Sequence, residues 1–165
     1  MADERDGLLT FLAQQRDALR AAVLGLTDAQ ARQTPAASSL SLGGLIKHCA
    51  RTERRWVVAS IAGQPLPGLW PIEDWDADFR LEPGETLAAL LDYYAETAEL
   101  TGQIVATTDP AQPSANDERV SVRWVLLHLI KETARHAGHA DIIRESIDGQ
   151  RAGQVDDASE SGPTS

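Results

Sequence analysis

One cysteine, Cys49, is all the thiol the 165 residues contain. No disulfide can close within the chain, and a reduced, cytoplasmic compartment is the expectation. No apolar run reaches the roughly 18 residues that a membrane-spanning helix needs. The opening Met1-Ala-Asp-Glu-Arg-Asp6 lacks the basic-then-apolar layout of a secretion signal. Positive charge is scarce: 15 Lys and Arg against 25 Asp and Glu leave a net charge of −10. Such a chain repels nucleic-acid phosphates and anionic membrane surfaces, which excludes both as expected partners. A convincing strand pattern is missing too, since Val120-Ser121-Val122 is too short to demand a sheet.

What is present is helical. The apolar fraction of 42% and the length suit one domain with a sizeable core. Leu8, Phe11, Leu12, Leu19 and Val23 recur at helical spacing over 7–25. Thr27 followed by Gln30 forms a capping-box pattern for a short helix ending near Pro35. Ser39 to Ser41 offer caps for a helix through about Ala62, with Leu42, Leu45, Ile46, Cys49, Trp56 and Val57 as its apolar positions. Gly63-Gln64-Pro65-Leu66-Pro67-Gly68 breaks it. Residues 69–82, with Trp70, Asp74, Trp75, Asp76 and Asp78, read as a long lid-like loop. Pro83 at a first turn, then Glu85, opens a helix to about Ala106. A polar loop spans 108–119, Ser121 caps a last helix, and Gly149 ends it. Four long helices make an all-α domain, 1–149, whose two later connections are long enough to cross the end of a bundle. Residues 150–165, rich in Gln, Gly, Asp, Ser and Pro, read as a disordered tail.

Histidine is nearly as scarce as cysteine, and its placement is informative. Three of the four histidines, His128, His136 and His139, share the last helix with Glu132. At about 100° per residue these four side chains fall within roughly 80° of one another. Glu132 and His136, at i and i+4, can reach one ion. His48, on the second long helix, can add a third ligand if the two helices face each other. Three protein ligands leave an open position on a tetrahedral ion, the layout of a catalytic site. Two familiar patterns are absent. His-Glu-x-x-His fails because Glu132 follows His128 by four residues, and Glu-x-x-His fails because Arg135 stands third after Glu132.

Two stretches, Gly44-Leu-Ile-Lys-His48-Cys-Ala-Arg-Thr-Glu53-Arg-Arg-Trp56 and His128-Leu-Ile-Lys-Glu132-Thr-Ala-Arg-His136-Ala-Gly-His139-Ala-Asp-Ile-Ile-Arg-Glu145, carry a family likeness. They resemble the paired motifs of the DinB-like superfamily of metal-binding four-helix bundles, and the likeness covers about residues 5–149. It implies an up-up-down-down DinB-like four-helix bundle with long crossover loops. It also implies metal ligands at His48, Glu132 and His136. Many members use histidine at all three positions. Glu132 at the middle one resembles the mycothiol-dependent branch, which includes the bundle domain of maleylpyruvate isomerase and a domain of unknown function, 664. His128 and His139 then become neighbours of the ion, orienting its ligands or supplying a fourth.

The likeness implies a thiol S-transferase using a divalent ion, Zn²⁺ first and Ni²⁺, Co²⁺ or Fe²⁺ as alternatives. A mycothiol-like thiol is the implied cosubstrate and a small electrophile its partner, in a monomer or homodimer. The second domain of maleylpyruvate isomerase is missing, so general S-transfer is expected rather than that isomerisation. The alternative is a non-catalytic metal- or ligand-binding stress-response protein. Cys49, about 100° round the helix from His48, is expected in the core rather than as nucleophile. Trp56 is expected to pack against the last helix in preference to lining the pocket. Arg51, Arg54 and Arg55 are expected on a solvated face, with one available for a thiol cofactor's carboxylate. Glu53 is expected to steady a ligand or an arginine, and Trp70 and Trp75 to cap a pocket mouth or simply anchor their loop.

Overall fold

Each long helix starts where a hydroxyl stands ready to accept a backbone N–H, except the first. A computed structural model describes residues 3–150. Helix α1 (Glu4–Val23) is followed by a single turn, α2 (Asp28–Ala31), which Thr27 and Gln30 close as a reciprocal capping box. Helix α3 (Leu42–Arg54) begins at Ser41, whose side chain accepts from Gly44 N–H, and runs on as a π-helix, Arg55–Ile61. A 3₁₀ turn occupies Asp76–Phe79. Helix α4 (Leu87–Ala106) is capped by Thr86, so the helix opens four residues after Pro83 rather than at it. Pro83 and Gly84 instead form a turn, with Gly84 at φ 90°. Helix α5 (Val122–Asp148) is capped by Ser121 and ends at Gly149 in the left-handed region, φ 77°.

A small antiparallel hairpin, β1 (Pro113–Ser114) and β2 (Asp117–Ser121), stands where a polar loop was expected. Its fixing contacts are tertiary: Ala115 N–H donates 2.8 Å to the Ser60 carbonyl at the end of the π-helix. In a π-helix that carbonyl would pair with residue 65, and Pro65 has no N–H to give. The described part of the expected 150–165 tail is Gln150 alone; 151–165 lie outside the described residues.

The fold is the expected all-α bundle, but the helix directions differ from up-up-down-down. Arg123 at the start of α5 pairs with Glu4 at the start of α1, and Arg144 near the end of α5 donates to the carbonyls of Ala22 and Leu24. Those two helices are therefore parallel. Lys47 meets Glu85 just before α4, and Arg54 lies 5.3 Å from the Tyr93 ring, so α3 and α4 are parallel too. Arg16 of α1 meets Glu53 of α3, while Arg5 donates to Ala106 O, which sets the two pairs antiparallel. The order is up-down-down-up. Only the connection 62–86 runs the length of the bundle; the α4–α5 connection turns back locally through the hairpin.

Two apolar clusters fill the interior. One gathers Leu19, Leu42, Leu45, Ile46, Leu90, Tyr94 and Ile143; the other gathers Leu12, Val57, Ile61, Val105, Val125, Leu126 and Leu129. Between them the sequence places a polar layer. Buried Arg16 holds buried Glu53 through two hydrogen bonds of 2.9 and 2.6 Å, and Thr101 Oγ1 donates to the same carboxylate at 2.5 Å. A buried ion pair is kept only when its geometry satisfies both partners, and this one does.

Candidate metal centre

His48 projects from α3, and Glu132 and His136 from successive turns of α5. One ligand atom from each lies within 4.8 Å of the others. His136 Nε2 stands 3.7 Å from Glu132 Oε2, too far for a hydrogen bond. Two ligands held about 2.1 Å from one ion lie roughly 3.4 to 4.2 Å apart, so this spacing suits a shared cation. The imidazoles of His48 and His136 are 4.8 Å apart between centroids, edge to face. Each keeps a buried Nδ1 with no hydrogen-bond partner among the described residues. Buried polar atoms are costly when unmet, and two imidazoles beside a carboxylate are a donor set suited to a divalent ion.

Electrostatics agree. Burial first, and the neighbouring His136 second, push the His48 imidazole down to about 4. Burial lowers His136 as well, against the opposing pull of Glu132. Both rings are therefore neutral at pH 7 and keep a free lone pair, the form that binds metals.

The triad has a wall that the sequence did not announce. Phe79 stacks on His48 with ring centroids 4.0 Å apart and an angle of 19°, shielding that face from water. Phe79 reaches it because Gly43 and Gly44 let the 62–86 connection lie against α3. A Cβ on Gly44 would stand 1.9 Å from Phe79 O, and one on Gly43 would stand 2.1 Å from Leu81 Cδ1. The same connection is pinned by Asp78, which is buried and accepts from Arg51 at 2.8 Å and from Arg55. Arg55 also donates to Leu69 O at 2.8 Å, and Lys47 to Arg80 O and Glu85. Burial raises the Asp78 carboxyl, but the Arg55 and Arg51 hydrogen bonds outweigh it and hold it below the usual range.

Arg55, buried, and Arg51, half-buried, are thus clamps on the connection rather than members of a solvated face, and both guanidiniums pair with Asp78. No periodicity could reveal this, because the counter-charge comes from a loop 23 to 27 residues away. Glu53 steadies an arginine, Arg16, as expected. Cys49 is buried, and burial pushes its thiol well above the usual range, which leaves it inert as a nucleophile.

His128 and His139 share the stripe but not the convergence. His128 stacks on Trp124, centroids 5.1 Å apart and 5° from parallel, and meets Trp56 at 4.9 Å. His139 lies edge-on to His136 at 5.5 Å. Trp56 packs against α5 through Trp124 and His128, as expected, and lines a cavity as well. That cavity, about 160 Å³, has a floor of Thr52, Arg55, Trp56, Ala59 and Ser60 and is roofed by Trp70, Ile72, Trp75 and Asn116. Thr52 links it to the triad, with Oγ1 3.5 Å from His48 Nε2.

An all-α bundle with a histidine-glutamate-histidine group between two of its helices defines a class of metal-binding fold. Residues 7–149 match the model of the mycothiol S-transferase family, and the chain belongs to that DinB-like family. A conserved protein from Enterococcus faecalis, known from its crystal structure, shares the fold with a TM-score of 0.72 at 18% identity. The alignment covers 91% of this chain and 100% of that one. No curated protein matches the chain significantly. Among the described residues no helix is long and apolar enough to cross a membrane.

Proposed function

We propose that the chain is a divalent-metal-dependent S-transferase. It joins a low-molecular-weight thiol of the mycothiol type to a small electrophile. The observation that carries this reading is the convergence of His48, Glu132 and His136 in a member of this family. Those three residues would hold the ion, with Zn²⁺ the first choice and Ni²⁺, Co²⁺ or Fe²⁺ suited to the same donors. Bound there, a divalent ion supplies the acidity that turns a thiol near pKa 8.5 into thiolate at neutral pH.

The chain's own residues do the rest. His48 and His136 present neutral rings. Glu132 contributes one negative charge, so that a dication and one thiolate together leave the site neutral. Phe79 keeps water from the His48 face. In the overall reaction a sulfur–carbon bond forms as the carbon's bond to its leaving group breaks. The leaving group departs with the electron pair, and the thiol proton passes to solvent. With an epoxide the displaced oxygen remains on the product and takes up a proton. The thiol and the electrophile are the proposed partners, and the net charge of −10 speaks against nucleic acid.

The test is zinc-loaded protein incubated with mycothiol and a panel of haloarenes and epoxides, with products followed by mass spectrometry. Metal-dependent conjugation of at least one electrophile is expected. Rates equal to those of metal-free protein across the panel would sink the proposal. Tight ligand binding without turnover would instead favour the stress-response binding protein.

A further inference from the structure

We infer that the tryptophan-lined cavity beside the triad is a binding site for an uncharged, electron-poor, single-ring arene. Calling that arene the transferred electrophile rests on the S-transferase reading; the ring site itself does not.

The end of α3 and the π-helix build the floor. Thr52, Arg55 and Trp56, at i, i+3 and i+4, share one helix face, and the Ser60 carbonyl at the end of the π-helix receives the hairpin. The hairpin thereby delivers Asn116 to the cavity rim. Trp70 and Trp75 come from the 62–86 connection. They remain 50% and 60% exposed, a large apolar surface that a bound ring would cover.

Size and chemistry select the occupant. The volume of about 160 Å³ is close to that of the apolar cavities of about 150 Å³ that take benzene, and Ala59, Trp70 and Asn116 also line an adjoining open groove into which a ring substituent can extend. Indole faces are electron-rich and attract electron-poor rings, whose quadrupole is complementary. Arg55 is the one cation on the wall; its Nε donates to the Leu69 carbonyl and its Nη1 to Asp78. The rest of the wall is apolar or neutral, so a carboxylate would give up its water for a guanidinium already paired with Asp78. Thr52 lines the cavity and touches His48 at 3.5 Å, so a ring seated there lies one side chain from the proposed ligands.

The experiment titrates full-length protein, metal-free and zinc-loaded, with 4-fluorobenzonitrile and follows the ¹⁹F signal. Fluorocyclohexane and 4-fluorobenzoate serve as saturated and charged controls. Saturable binding of the nitrile is expected in both metal states, about tenfold tighter than either control. Ala59→Trp, which fills the cavity, should abolish it. Trp75→Ala and, separately, Trp70→Ala should each weaken it several-fold, with circular dichroism confirming the fold of every variant. Absence of saturable binding to the wild type overturns the inference. So does equal binding by fluorocyclohexane, or unchanged binding in a folded Ala59→Trp protein. Conjugation of an aliphatic epoxide without arene binding would sink this site and spare the transferase; arene binding with no conjugation of any electrophile would do the reverse.

Discussion

At the scale of single residues the three proposed ligands do different work. His48 and His136 are neutral donors from different helices, so losing either removes one wall of the site. His48→Ala and His136→Ala should each abolish stoichiometric metal binding, whereas Cys49→Ser, in the apolar core, should leave it nearly intact. Elemental analysis of the purified proteins decides this; tight metal in the His48 variant would mean that α3 contributes nothing. Glu132 sets the charge. Replacing it with histidine raises the site's charge by one and makes any ion held there a stronger Lewis acid. A coordinated sulfur then keeps less electron density. Glu132→His should retain metal but slow single-turnover conjugation at saturating thiol. A variant as fast as wild type would show that the carboxylate is only a tether.

At the scale of elements, the 62–86 connection is the part that turns a helix pair into a site. It is held against α3 by two glycines and by Asp78. An alanine in the first turn of a helix ordinarily helps stability relative to glycine. Gly44→Ala should do the opposite, costing about 1 to 3 kcal/mol, as overpacking does, because Phe79 O must move away. Urea denaturation measures the cost. Exposure of the His48 face, read as faster exchange of a bound Co²⁺ probe, should accompany it. Asp78 gives this anchoring a pH dependence. Its folded pKa lies below the ordinary 3.8, so its contribution is complete above that value and is lost as pH falls through the lowered one. Asp78→Asn should cost on the order of 3 kcal/mol at pH 7, as breaking a buried pair does. The gap from wild type should then close as the pH drops below about 4. A gap that persisted unchanged into stronger acid would mean that charge is not what Asp78 supplies.

At the scale of the whole molecule, the proposed ligands tie α3 to α5. Binding to the folded state alone adds stability by mass action, about 2.7 kcal/mol at a hundredfold excess over Kd. For a domain of this size that is a rise in Tm of about 5 to 10 °C. Zinc should raise the calorimetric Tm of wild type by that order, and chelation should reverse it. The His48→Ala protein should show no shift. An equal shift in that variant would place the stabilising ion elsewhere.

Much of this was legible in the sequence because it depends on local chemistry. Apolar spacing, Ser41, Thr27, Ser121 and Gly149 set helices and ends by hydrogen bonds and φ values that involve only neighbouring residues. The rise of 1.5 Å per residue likewise put Glu132 beside His136 before any tertiary contact was known. Other features depended on what packs opposite. The histidine stripe from His128 to His139 is about 16 Å long, and which part of it could share an ion was decided by where His48 arrived on α3. The direction of α4 was settled by Lys47 and Glu85, the pairing of Arg51 and Arg55 by Asp78, and the hairpin by a carbonyl that Pro65 could not satisfy. Phe79 had no signal in the sequence at all. A side chain's charge and size are written in its own position, but its partner is chosen by the route of a connection of 25 residues, and only the folded chain fixes that route.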